Sequence, residues 1–326
     1  MTQHRQFMLG LFFSVTTVVF WGMLPIALKL SDGFTDPVTL TWMRFVVAGI
    51  VVLAIQKARG SLDEFSALTR QEWGKLILSG SFLIVNYTTF AWSLRFLNPG
   101  TAQLSFQVAP LILTLGGWWF LKERVHGLQW GCFFSLVMGL IIFFHPTLSG
   151  HGGSLETTLT GIGIILLSAT AWSSYALLQK SLYSKLSSQN VLLMIYLYAM
   201  VVMAPFTHPS DFVALSFDDF AVLLFCCMNT LIAYGAFAQA LRYWQTVQVG
   251  ASIALTPVVS FIITELCVLL GFWPDKIFSA GVDGLSLFGM ALVIVSAISV
   301  QIISARKGRK KAQVEQLPQS EATVIK

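Results

Sequence analysis

Charge is what this sequence lacks most. Only 11% of its 326 residues are Asp, Glu, Lys or Arg, against about 25% in an ordinary soluble domain. Hydrophobic residues make up 56%, and the mean hydropathy is +0.74. So few polar side chains cannot cover a folded surface in water, which excludes a soluble enzyme, and so many apolar ones exclude a disordered chain. Cysteines number four. Cys132, Cys226, Cys227 and Cys267 all lie inside apolar runs and none has metal-ligand spacing. That excludes a disulfide scaffold and a zinc site, and reads them as small buried apolar side chains. No HExxH, GxSxG or GxxxxGK[ST] string occurs, so neither a hydrolase centre of those types nor a nucleotide-driven engine is visible. No stretch alternates with period two, which excludes a lipid-facing β-barrel. The formal net charge of +5 does not signal nucleic-acid binding, because Arg306, Lys307, Arg309, Lys310 and Lys311 crowd one short C-terminal stretch. There they suit membrane topology and contact with anionic lipid headgroups.

What is present is apolar length. A membrane span needs about 20 mostly apolar residues, and ten such runs stand at 8–28, 37–57, 74–95, 99–121, 127–145, 158–179, 189–206, 217–241, 246–270 and 282–304. The reading is an all-α membrane protein. The first run is too long for a cleaved signal peptide, and it contains Trp21 and Pro25. Residues 58–73 read as a short amphipathic surface stretch. Residues 146–157, rich in Gly, Ser and Thr, read as a linker. Residues 305–326 form a basic tail whose composition suits disorder. With a cytoplasmic N-terminus (residues 1–7), sixteen of the Lys and Arg residues fall on the cytoplasmic side. Lys29, Arg95 and Lys276 fall on the other, and Arg44 lies inside a span. This positive-inside bias places both termini in the cytoplasm and the 146–157 linker in the periplasm of a bacterial inner membrane.

The chain also repeats itself. Gly10, Trp21 and Lys29 recur as Gly161, Trp172 and Lys180, each 151 residues later. Tyr87, Phe90, Ala91, Leu94, Arg95, Ser105 and Pro110 recur as Tyr234, Phe237, Ala238, Leu241, Arg242, Ser252 and Pro257, each 147 later. Residues 8–145 and 158–304 therefore form two units of five spans. Five is odd, so the second unit sits upside down relative to the first. Two inverted five-helix repeats can exchange conformations and open a shared site alternately to either side of the membrane. A static anchor gains nothing obvious from such a design.

The five-plus-five spans, the aromatic-Gly pair Trp21-Gly22, Arg44 in the second span, and Pro110 followed by Leu121-Lys122-Glu123-Arg124 resemble the EamA family of the drug/metabolite transporter superfamily. The resemblance covers roughly residues 8–304. It implies transport of a small organic metabolite, an amino acid or related compound, with export favoured over uptake. The second repeat departs from the pattern. Leu270 stands thirteen residues after Pro257, where the first repeat has Glu123 after Pro110, and residues 273–283 add length before the last span.

Several polar and aromatic residues inside spans are candidates for substrate binding or coupling. Glu265 is the one carboxylate well inside a span, where it needs a partner or a wet cavity. It reads either as a proton-coupling or cation-binding group or as half of a structural salt bridge. Arg44 is the matching base. The two lie at similar depth, and the expectation is that they pair, directly or through substrate, with Lys29 as the alternative partner of Glu265. Snorkelling is the other reading for Arg44. Asn86, Gln103 and Gln107 lie in the third and fourth spans, and Asn229, Tyr234, Gln248, Ser252 and Thr256 in the eighth and ninth. Each set either lines a cavity or forms interhelical hydrogen bonds. Trp21 and Trp172, with Tyr87 and Tyr175, read either as aromatic walls of a substrate site or as packing at a helix seam. Pro25, Pro110 and Pro257 read as flexing points or static kinks. Gly131, Ser135 and Gly139 suggest a close-packing face, within the chain or between copies.

The leading reading is a secondary transporter. A membrane-embedded enzyme would need a cluster of acids or histidines on one side of the membrane, which the sequence does not supply. A non-transporting sensor or assembly protein is the remaining alternative. The implied partners are a small-molecule substrate and membrane lipids, without nucleic acid. No metal or cofactor is implied, and the oligomeric state stays open.

Overall fold

The computed structural model describes residues 3–109, 111–112, 115–116, 127–148, 154–183, 185–244, 249, 252–279 and 281–315. Regular structure among them is helical throughout. The principal helices are α1 (Gln3–Ser31), α2 (Pro37–Ala58), α3 (Arg70–Ser93), α4 (Pro99–Ser105), α5 (Gly127–Phe143), α6 (Leu155–Lys180), α7 (Ser188–Met203), α8 (Phe217–Tyr243), α9 (Thr256–Leu269) and α10 (Gly284–Glu315). Six of them contain stretches long and apolar enough to cross a bilayer, and parts of α5, α9 and α10 are shorter apolar segments. Large apolar side chains such as Phe12, Ile50, Phe134, Ile141, Val201 and Ile262 point outward, as suits lipid.

Helix starts are set by local chemistry. Asp36 caps α2: its Oδ1 accepts from the N–H groups of Val38 (2.8 Å) and Thr39 (3.2 Å), with Pro37 in the first turn. Ser154, Ser187 and Ser216 cap α6, α7 and α8 in the same way, and Thr69 and Glu72 form a reciprocal capping box on α3. The expected amphipathic stretch becomes a 3-10 segment, Ser61–Ala67, entered through Gly60 at φ 65°. Its Phe65 packs against the core.

The inverted repeat governs the packing. The largest helix interfaces are α1 with α8, α5 with α10, α3 with α6 and α2 with α7, followed by α1 with α9, α4 with α9, α3 with α7 and α2 with α8. Exchanging helices 1–5 with 6–10 maps most of this set onto itself: α1–α8 becomes α6–α3, α2–α8 becomes α7–α3, and α2–α7, α4–α9 and α5–α10 map onto themselves, while α1–α9 becomes α6–α4, a smaller interface. Repeated residues sit at equivalent contacts. Any side chain at Gly10 would strike the ring of Trp244, and a Cβ at Gly161 would stand 2.5 Å from Leu97. Each glycine is a notch for the residue that follows α8 or α3, which is why the pair recurs. Likewise Thr17 Oγ1 reaches the carbonyl of Ala233 (3.5 Å), and Ser168, its counterpart, donates to the carbonyl of Asn86 (3.0 Å).

Two spans differ from the sequence expectation. The run 99–121 is not one uninterrupted α-helix, because α4 ends at Ser105 and tightens into a 3-10 turn at Phe106–Val108. A proline at 110 leaves the Phe106 carbonyl without its helical donor. Pro110 itself lies outside the described residues, as does Gln248. The ninth run restarts at Thr256 after a turn at 254–255, so Pro257 occupies the first turn of α9 rather than a mid-span kink. By contrast, α1 runs through Pro25 without interruption. The tail expected to be disordered is helical as far as Glu315, as a continuation of α10.

The small-residue face of α5 is used at one point only. Gly139 crosses Gly289 of α10: a Cβ on Gly139 would lie 2.9 Å from the Gly289 carbonyl oxygen, and one on Gly289 only 2.6 Å from the Phe143 nitrogen. A Cβ on Gly131 meets nothing within 4 Å. At Gly139 the close-packing face serves an interface within the chain. Gly289→Ala forces two backbones apart and should cost roughly 1–3 kcal/mol, as core overpacking does. Gly131→Ala should be neutral or slightly stabilising through helix propensity. Thermal unfolding of both variants in one detergent measures the difference, and equal midpoints would refute the α5–α10 crossing.

Candidate functional site

The centre of the bundle is aromatic and holds one cation. Arg44 lies seven residues, about 10 Å, into α2 and is only 2% exposed. Its Nε donates to Thr230 Oγ1 on α8 (3.1 Å), and its guanidinium carbon stands 4.7 Å from the ring centre of Tyr87 on α3. Among the described residues its Nη1 and Nη2 have no hydrogen-bond partner, and no carboxylate forms an ion pair with it. An arginine at bilayer depth costs about 2.5–3.5 kcal/mol on insertion scales. A desolvated cation–π contact returns part of that, and five donors served by one acceptor leave the rest unmet.

Around Arg44 the two repeats meet through aromatic rings. Phe45 stacks on Tyr196 at 5.4 Å and tilts against Tyr87 at 4.9 Å, and Tyr87 stacks on its repeat counterpart Tyr234 at 6.4 Å. Trp21 meets Tyr234 edge-on at 5.4 Å, while Trp172 meets Phe106 at 6.1 Å. Tyr175 is buried in the same apolar cluster as Tyr87 and Tyr196. Phe45 and Tyr196 are themselves 151 residues apart, a repeat match that unlike side chains conceal. The same offset carries Arg44 onto Ile195, so the charge has no twin.

The other sequence candidates divide. Asn86 is tied to α6: its Nδ2 donates to the hydroxyl (2.9 Å) and the carbonyl (3.1 Å) of Ser168. Asn229 donates to the Phe20 carbonyl on α1, leaving its buried Oδ1 without a partner. Thr256 bonds its own helix start at Ile253 (2.6 Å). Gln107 is buried, and Gln103 and Ser252 are half-buried. Lys29 caps the end of α3, donating to the carbonyls of Leu94 (2.7 Å) and Leu97 (3.4 Å).

The expected pairing of Arg44 with Glu265, or of Lys29 with Glu265, gives way to other partners. Glu265 lies four residues from the end of α9, half-buried. The inserted segment after α9 folds back over it, so that Ser279 Oγ donates to its Oε1 (2.9 Å). Glu265 lines a cavity of about 520 Å³ between α9 and the start of α10, walled by Phe261, Leu266, Val282 and Leu287. The acid therefore meets the inserted segment, not Arg44.

Two polar clusters close the bundle at opposite ends, and both escaped the sequence reading. At the end where α2 finishes, Asn190 on α7 accepts from Gln56 (2.8 Å) and donates to the Ser61 carbonyl and the Glu64 carboxylate (both 2.7 Å). The Ser187 N–H also donates to Glu64 (2.7 Å). At the other end, Thr39 donates to Asp36 (2.5 Å) and accepts from the His208 N–H (3.0 Å), Thr35 donates to Asp211 (3.1 Å), and the His208 ring stands 3.6 Å from Asp36. Asp36 and Thr39 become Ser187 and Asn190 on adding 151. The helix cap and the residue three beyond it thus form the cross-repeat closure in both halves. The signal lay in that offset, hidden because both residue types change.

The EamA-like transporter family model matches residues 8–145 and 159–295. The chain is 31% identical to the uncharacterized inner membrane transporter YhbE of Escherichia coli, over 89% of this chain and 90% of that one. It is 30% identical to an uncharacterized transporter of Haemophilus influenzae, over 90% and 95% of the two chains. A crystal structure at 20% identity superposes with a TM-score of 0.61, covering 91% of this chain and 98% of the other, and supports the fold. These relatives point to a transporter rather than an enzyme.

The Glu64 closure has a predictable acid limit. Burial works against its charge, yet the donors from Ser187 and Asn190 hold the carboxyl below the ordinary glutamate range. A depressed folded-state pKa means that its contribution is complete above the ordinary value of about 4.3, and is lost as the pH falls through the lower folded value. Glu64→Gln should raise hydrogen exchange across 61–67 and 187–190 about tenfold or more at neutral pH, as a lost charge-assisted hydrogen bond would. It should also abolish the acid-induced rise expected of the wild type. Wild-type protection in the variant at pH 7 would remove Glu64 from the closure.

Proposed function

The chain belongs to the EamA-like transporter family, and on that premise we propose that it is a secondary carrier moving a small organic metabolite, an amino acid or related compound, out of the cell. Its site is the central aromatic chamber, and its membrane is the bacterial inner membrane with both termini in the cytoplasm. The observation that carries this reading is the pair of closures. They occupy opposite ends of the bundle, use symmetry-equivalent positions, and join one repeat to the other.

In an alternating-access cycle one closure opens while the other holds. Opening toward the cytoplasm breaks the Gln56–Asn190–Glu64 set and parts the 61–67 segment from the start of α7. Opening toward the periplasm breaks the Asp36–Thr39–His208 set and parts α2 from the 204–212 stretch. Both sets consist of a few hydrogen bonds, worth about 1 kcal/mol net between neutral groups and about 1.5–3 kcal/mol where a carboxylate accepts, so neither state is locked. The breaks in α4 and before α9 stand at equivalent places in the two repeats and supply the non-helical backbone that carriers place beside a midplane site. With no nucleotide motif in the chain, the work comes from a solute gradient or from exchange.

Counterflow in proteoliposomes tests this. Vesicles loaded with a mixture of unlabelled amino acids and small organic acids should accumulate labelled members of the transported class, and protein-free vesicles should not. Asn190→Ala and Thr39→Ala should each change the exchange rate severalfold. Absence of any protein-dependent counterflow across the panel would overturn the carrier reading. Cysteines placed at residue 62 and in the 305–315 stretch should react with a membrane-impermeant maleimide only from the cytoplasmic side, and labelling from the periplasm would invert the orientation.

A further inference from the structure

Resting on the carrier reading, we propose that the carried molecule is a carboxylate whose anionic end is bound by Arg44, and that no charged group reads an amino group at the other end. Three observations carry this. Arg44 is buried to 2% exposure, and one of its guanidinium nitrogens is hydrogen-bonded while Nη1 and Nη2 have no partner among the described residues. Their fork is the geometry that receives a carboxylate in two parallel hydrogen bonds. One turn earlier on the same face of α2, Thr41 is fully buried and its hydroxyl has no hydrogen-bond partner among the described residues, a further donor for an acceptor-only group.

The surroundings fit an anion with a flat or apolar body. Tyr87, Tyr196 and Phe45 present rings beside the guanidinium. Arg44 occupies the face of Tyr87, leaving that face unavailable to a cationic ligand. Among the described residues, the one carboxylate well inside an apolar run rather than at its end, Glu265, is engaged by Ser279 in the α9–α10 region rather than beside Arg44. The recognised unit is therefore the acid group. An amino acid and its deaminated analogue should bind alike, and an amide of either should not.

Purified full-length protein in nanodiscs separates the outcomes. Binding of phenylacetate, phenylalanine, butyrate and leucine is compared with that of their primary amides, by intrinsic tryptophan fluorescence and thermal shift. At least one acid should bind at least tenfold more tightly than its amide. Arg44→Gln should erase that preference, and Arg44→Lys, which keeps the charge without the fork, should retain part of it. Equal binding of acids and amides, preference for the amides, or an unchanged preference in Arg44→Gln overturns the assignment. So does failure of every acid to bind. None of these results touches the carrier reading if counterflow of some solute persists, whereas loss of all counterflow removes both. If Arg44→Gln does not fold, the wild-type acid-to-amide ratio and Arg44→Lys still decide.

Discussion

Hydrocarbon offers no hydrogen bonds, so every polar group this chain carries into the bilayer has to find its partner in protein. Many hydroxyls turn back onto a carbonyl of their own helix, but several of the larger polar groups find partners in the other repeat. Asn86 is satisfied by Ser168, Asn229 by the Phe20 carbonyl, Trp42 by the Met200 carbonyl and Arg44 by Thr230. Each bond joins residues of the first repeat to residues of the second. These groups depend on the opposite repeat for their hydrogen bonds, and that dependence adds to apolar packing against an equally apolar solvent in binding the halves together. It also explains why the polar sets concentrate along the seam and at its two ends.

The exceptions to that satisfaction are informative. Thr41, Ser79, Ser260 and the Oδ1 atom of Asn229 are buried without partners, and Arg44 uses a fraction of its donors. Part of that spare capacity, Arg44, Thr41 and the Asn229 oxygen, lies on α2 and α8 beside the central aromatic rings. Polar capacity held in reserve at such a place is what a ligand-binding site requires before its ligand arrives.

Much of the architecture was legible in the sequence because its physics is coarse. Apolar runs mark spans whatever their neighbours, and the 151- and 147-residue offsets expose two units without any structure. The recurring Gly10 and Gly161 proved to be equivalent notches, and Tyr87 and Tyr234 a stacked pair across the seam. What the sequence concealed follows from chemistry that varies between symmetric positions. Asp36 with Thr39 and Ser187 with Asn190 share a place but not an identity, so a search for repeated letters passes over both closures. Glu265 misled for a different reason. Counting residues from the end of an apolar run gives a depth, but the inserted segment after α9 folds back and supplies Ser279 as a partner that no count reveals. Helix breaks were similarly hidden, since a proline within an apolar run fits α1, which continues through Pro25, as well as α9, which starts beside Pro257.

Arg44 stands where the mirrored half has Ile195, and that mismatch separates shape from field. In the carrier cycle proposed above, the scaffold turned over is nearly the same, so its two extreme postures would resemble each other in outline. Their electrical character would differ, because the buried charge of Arg44, whose counterpart is Ile195, is not relocated when the halves trade postures. A chamber of this kind is a geometric palindrome written in unsymmetrical ink, and a solute entering from one bank of the bilayer meets a different potential from one entering from the other.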